Sequence, residues 1–262
     1  MKKIILIILG CSLIFTACKK EEGCTDPLAL NYNSSAEDDD GSCIYPVKTN
    51  LTINFTQIVD GVELTADTMM YTNAAGEDYD IQTLKYLISD ITLHADDGNT
   101  LLDEVHFIDI SDASTFGFTY QDVPNNSYTA ISFDMGLDST KNSSNFYVNE
   151  DFHATMAWPE PMGGGYHYMK LEGSYINDST FYNTHTGGTM GGDYSFNNSS
   201  SILLNVNDDM GDVTIDINME INNWYRTPNT INFAGAIMMD MMKQMQLKQN
   251  GMTDVFSVSV SQ

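Results

Sequence analysis

Imidazole, thioether and indole groups crowd into one part of this sequence. His153, Met156, Trp158 and His167 fall within the single run HATMAWPEPMGGGYH, and His185 follows in FYNTHTGG. Neutral imidazole is a general ligand for copper and zinc, and thioether sulfur prefers Cu(I). Three histidines from separate elements, joined by a methionine and a tryptophan, would make an imidazole-rich site suited to copper. His94 and His106, beside ADDG and DEV, read instead as strand-end surface residues. In simple strand alternation His167 shares a face with Met169 and Leu171, the usual setting of a core histidine.

The motifs of common enzymes are missing. The chain has no HExxH, no CxxC, no GxSxG and no phosphate-binding glycine loop. The glycine run 163–165 precedes a strand-like stretch and not a helix, so it lacks the anion-binding end that a P-loop supplies. Glu160 and Glu172 are the nearest thing to paired carboxylates, and their spacing is not diagnostic. The expectation is a binding protein and no enzyme.

The elements that must position these residues read as β. Alternating segments recur at 51–59, 84–93, 105–110, 128–137, 165–176, 201–206, 213–221 and 254–260, punctuated by Asn, Asp, Gly and Pro. Strand signals at this density predict an all-β protein, an antiparallel β-sandwich of immunoglobulin-like type. One segment, 233–251, is helical in pattern, with Met238, Met241, Met242 and Met245 at i, i+3, i+4 and i+7. It is expected to be a short Met-rich helix near the C-terminus, its apolar face packed on the sandwich with methionine filling gaps. The run FYNTHTGG, residues 181–188, reads as a loop.

The N-terminus begins with Lys2 and Lys3 and continues into an apolar stretch too short to span a membrane, the pattern of a secretory signal. Cleavage before Cys18 leaves a better apolar region than cleavage before Cys11, and Phe-Thr-Ala-Cys resembles a bacterial lipobox. Residues 1–17 are thus expected to be a lipoprotein signal peptide, with Cys18 lipidated and tethered to a membrane. Lys19-Lys20-Glu21-Glu22 is similar to the export signal of Bacteroidetes lipoproteins, which implies an outer-membrane lipoprotein exposed on the cell surface. Residues 18–46 then form a tether with a small module, in which Cys24 and Cys43 pair in an oxidising compartment. The run GCTDPLALNYN…DDGSC resembles a repeat of secreted marine bacterial proteins, and Asp38, Asp39 and Asp40 are candidate calcium ligands beside the alternative of a solvated turn. A formal net charge of −25 repels phosphate backbones and argues against nucleic-acid binding.

Residues 47–262 carry a family resemblance. LKYLISDITL, then MAW followed by GYHYMKLEG, then FYNTHTGG and finally DVFSV occur in the order seen in the copper-binding MbnP-like family. That resemblance implies a β-sandwich, a periplasmic or surface location and copper handling through histidines and a tryptophan. It further implies a dihaem peroxidase or a copper transporter as partner, with the tryptophan oxidised to kynurenine in some members. His185 matches the family's F-x-x-H-x-G, and Trp158 is the corresponding aromatic. The connection after Trp158, PEPMGGGY, is two residues longer than the family spacing and lacks a second tryptophan. The function implied is copper capture or uptake. The alternative is a metal-independent surface module that binds protein or glycan through Tyr166, Tyr168, Tyr175 and Tyr182.

Overall fold

The structure, a computed structural model, describes residues 20–45, 49–176, 180–207 and 210–261. The expected signal peptide, 1–17, and Cys18 lie outside the described residues. Among the described residues no helix is long and apolar enough to cross a membrane. The chain divides into two compact units, Met1–Pro46 and Val47–Gln262.

The smaller unit is held by the disulfide between Cys24 and Cys43. Its apolar content is too small for a core, so a cross-link over this loop, worth about 3 kcal/mol, has a disproportionate effect. The acidic run folds onto itself. Asp38 pairs with Lys20, Asp39 accepts from the Gly41 amide and Asp40 from the Ser42 amide. Among the described residues no three carboxylate, histidine or cysteine side chains converge as a cation cage.

The larger unit is a sandwich of two sheets. Its longer strands are β1 (Thr49–Val59), β2 (Thr83–Ala95), β3 (Gly98–Asp109), β4 (Gly117–Val123), β5 (Asn126–Met135), β6 (His167–Tyr175), β7 (Thr180–Gly187), β8 (Phe196–Val206), β9 (Val213–Glu220) and β10 (Phe256–Ser261). One sheet runs β8-β5-β2-β6, with β7 on β6 and β3 on β2. The other runs β10-β9-β1, with β4 also on β1. All these pairs are antiparallel except β9 with β1, which is parallel. A parallel neighbour needs a long crossover, and the chain between β1 and β9 builds most of the opposite sheet.

Binary patterning explains the faces. β1 and β9 alternate buried and half-buried residues along their length, with Leu51, Ile53 and Phe55 facing Val213, Ile215 and Ile217 in the core. Each fully buried side chain of this size contributes about 1.5–3 kcal/mol. β2 is buried on both faces at its centre, Tyr86 and Ile88 toward the core and Leu87 away from it. The second face is covered by the segment between β5 and β6, which contains a four-residue helix α1 (His153–Met156). Phe152, Met156, Tyr166, Tyr168 and Tyr194 pack there with Leu87 and Leu137 as a satellite core.

Three expectations from the sequence change. β7 is a strand, so His185 stands in the sheet and not in a loop; the alternating Thr180, Tyr182, Thr184 and Thr186 favour β structure. β4 is a strand that the nearby Pro and Asn obscured. The C-terminal helix α2 spans only Met241–Asn250, capped by the Asp240 carboxylate on the amides of Met242 and Lys243. Its methionines are not a packing face: Met241, Met242 and Met245 are exposed, and Gln244, Leu247 and Asn250 are buried. The polar Gln244 and Asn250 displace methionine from the buried face because the neighbouring loops present backbone groups that need partners.

Candidate metal centre

β6 and β7 are adjacent and antiparallel, with Lys170 opposite His185 and His167 opposite Gly187. A β-bulge falls between His167 and Met169, where two residues of β6 face one step of β7. Alternation alone would send His167 into the core beside Met169. The bulge turns it to the outer face instead, where His185 already points. The two rings meet edge to face with centroids 5.0 Å apart.

Trp158 completes the cluster. Its ring lies 4.6 Å from that of His167 in a T-shaped contact. Its position comes from a tight return of the PEPMGGG loop, in which the Trp158 amide donates to the Gly165 carbonyl at 2.8 Å. Gly165 has φ +84°, and a Cβ there would fall 2.4 Å from the Asn142 side chain, so only glycine closes the turn. The far side of the indole rests on Gly187, where a Cβ would approach the ring to 2.6 Å. Glycines thus let the PEPMGGG connection return tightly while Trp158 stays against the sheet.

Hydrogen bonds fix the tautomers. His167 Nδ1 is 3.1 Å from the Met156 carbonyl. A carbonyl only accepts, so Nδ1 carries the hydrogen and Nε2 presents a lone pair. His185 Nε2 is 2.6 Å from Glu172 Oε1. The Glu172 carboxyl is held below its usual range, first by this hydrogen bond, so it is ionised and accepts. In its neutral form the His185 ring donates from Nε2 to this carboxylate and presents its lone pair at Nδ1. His167 Nε2 and His185 Nδ1 are buried with no hydrogen-bond partner, and so is Trp158 Nε1. Only Asn198 Nδ2 and Trp224 Nε1 share that condition among the described residues. Unpaired buried polar atoms are costly and uncommon, and here three of them share one cluster.

Burial pushes the His167 imidazole down to about 4, with the neighbouring His185 ring adding to the effect. The ring is neutral at physiological pH, the state that binds a metal. A carboxylate on one ligand and a carbonyl on the other is the outer support that metal-binding imidazoles commonly have.

The remaining sequence candidates sit elsewhere or act differently. His153 Nδ1 bonds the Tyr166 hydroxyl at 2.9 Å, and its ring packs on Tyr166, not on the histidine pair. Met156 lends its backbone carbonyl to His167 while its side chain belongs to the satellite core. His94 bonds Ser132, and His106 is sandwiched between Phe55 and Phe118 while bonding the Thr115 carbonyl. His94 stands at the end of β2, as expected, whereas His106 is held inside β3. Tyr166, Tyr168, Tyr175 and Tyr182 are all buried, so their rings offer a glycan little surface.

Gln244 was not evident from sequence. From α2 its amide donates to the His185 carbonyl at 2.7 Å and accepts from the Gly187 amide at 3.3 Å. It holds β7 at the level of the site. Gln244→Leu is expected to leave both backbone groups unpaired and to lower stability by about 1 kcal/mol, read as a lower Tm by differential scanning calorimetry. An unchanged Tm would contradict this clamp.

The comparisons concern the family and the fold. Among solved structures, MbnP from Methylosinus trichosporium aligns over 82% of this chain and 99% of its own, with a TM-score of 0.53 and 11% sequence identity. At that identity the likeness concerns the fold. No curated protein matches the chain. The MbnP family model matches residues 48–243, which contain all ten strands but the last and both histidines of the pair. The chain belongs to the MbnP family.

Proposed function

We propose that this protein binds copper at His167 and His185, beside Trp158, and serves in copper capture or uptake. The observation that carries the reading is the pair of buried, unpartnered ring nitrogens on adjacent strands. Two neutral imidazoles suit copper, which they could hold without any carboxylate ligand. Glu172 orients His185, the Met156 carbonyl orients His167, and Trp158 excludes water from one side. Bound there, copper would supply a cargo site or a redox centre next to an indole. The family resemblance supports copper over zinc and supports a dihaem peroxidase or a copper transporter as partner.

The N-terminal sequence supports a lipid anchor at Cys18 and an outer-membrane, surface-facing location. Such an anchor would hold the sandwich at the cell boundary, where metal capture is useful. Metal analysis of purified protein, followed by copper titration against a competing chelator, tests the reading. Wild type is expected to hold tight copper and His185→Ala to lose it. Equal binding by the two proteins would dismiss the histidine site.

A further inference from the structure

We propose a second metal site, for Cu(I), on the outward face of α2, formed by the thioethers of Met241, Met242 and Met245. The choice of copper among soft ions rests on the reading of the histidine pair above. The three side chains are 53%, 74% and 43% exposed. At about 100° per residue, Met241, Met245 and Met242 span roughly 100° of the helix circumference. Gln244, Leu247 and Asn250 occupy the opposite side and are buried. Met245 lies three and four residues from the other two, so its Cβ is within about 5–6 Å of each of theirs. Methionine's flexible, unbranched chain lets sulfurs at that spacing converge.

The rest of the helix selects for a soft ion. The chain has 36 acidic residues, yet MMKQMQLKQN contains none. The one carboxylate at its start, Asp240, is engaged in capping the first turn. Hard cations bind oxygen ligands, and this face offers sulfur instead. A helix needing only solubility would carry Lys, Glu or Gln at these positions, which are equally good helix formers. The same helix is clamped through Gln244 to the strand that bears His185. Thioether and imidazole sites are thus carried on two elements that are joined directly.

Leucine separates sulfur chemistry from mere apolarity, because it keeps size and helix propensity and removes the ligand. The experiment is an anaerobic Cu(I) titration of the purified full chain against a competing chelator, with methionine ε-methyl groups followed by NMR. Wild type is expected to take up two equivalents, with the Met241, Met242 and Met245 methyl signals shifting. The M241L/M242L/M245L variant is expected to take up one, and H167A/H185A also one, still with shifted methyls. Methyl signals that do not move in wild type, together with equal uptake by wild type and the leucine variant, would overturn the thioether site. That result leaves the histidine pair untouched. The histidine reading fails separately, if H167A/H185A keeps the full wild-type number.

Discussion

Acidifying the metal-free protein from pH 7 to pH 4 is expected to cost about 3 kcal/mol of stability at one side chain, His167. Its folded-state value is about 4 against an ordinary 6.5, and that interval corresponds to about 3 kcal/mol. The sign follows from proton counting. Between pH 6.5 and 4 the unfolded chain binds a proton at this imidazole that the folded chain refuses, so folding weakens as pH falls. The cost begins near 6.5, grows through the window and is complete below 4. Carboxyls held low in the fold, such as Glu172, Asp109 and Asp138, add their own loss only at the acid end of this window, near and below ordinary values of 4.5 and 3.8. Urea denaturation at pH 7.0, 6.0 and 5.0 should show the decline, and His167→Leu should flatten it. An NMR titration of the His167 ring gives an independent check. A midpoint near 6.5 would mean the ring is not held neutral by burial.

Glu172→Gln is expected to weaken copper binding by about 10–100-fold while leaving the fold intact, the range seen when an outer partner of a metal ligand is changed. The substitution keeps the shape of the side chain and removes the charge that accepts from His185 Nε2 at 2.6 Å. The imidazole then loses basicity at Nδ1, and an amide nitrogen turned toward Nε2 would favour the wrong tautomer. Competition titration at neutral pH measures the change. An affinity within about threefold of wild type would show that the carboxylate does not support the metal.

Much of this arrangement could be read from residue order, and the exceptions have physical causes. The alternation in LTINFTQIV and VTIDINMEI led directly to β1 and β9. His185 and Trp158 were visible as members of a family-typed pattern. The orientation of His167 was hidden, because a one-residue bulge reverses the parity on which face assignment depends. The strand character of β7 was masked by the glycines that follow it. Glu172 was considered only as an acid-base partner of Glu160, since its role needs the diagonal neighbour that β-pairing creates. Gln244 carried no signal at all: a polar residue inside a methionine-rich helix looks solvent-facing until the sheet behind it shows unpaired backbone groups. The methionines misled for the complementary reason. Apolar spacing at helical period identifies a face, but it does not say which side of that helix the protein covers.

The two imidazoles stand on hydrogen-bonded strands, with one ring braced by a backbone carbonyl and the other by a carboxylate. Their conformational freedom is surrendered when the sheet forms, before any ion arrives. On the proposed reading, capture requires no loop to become ordered, and the entropy balance of binding reduces to stripping water from the ion. The proposed metal receptor is thus preorganised: its two rings are held in place by the sheet itself.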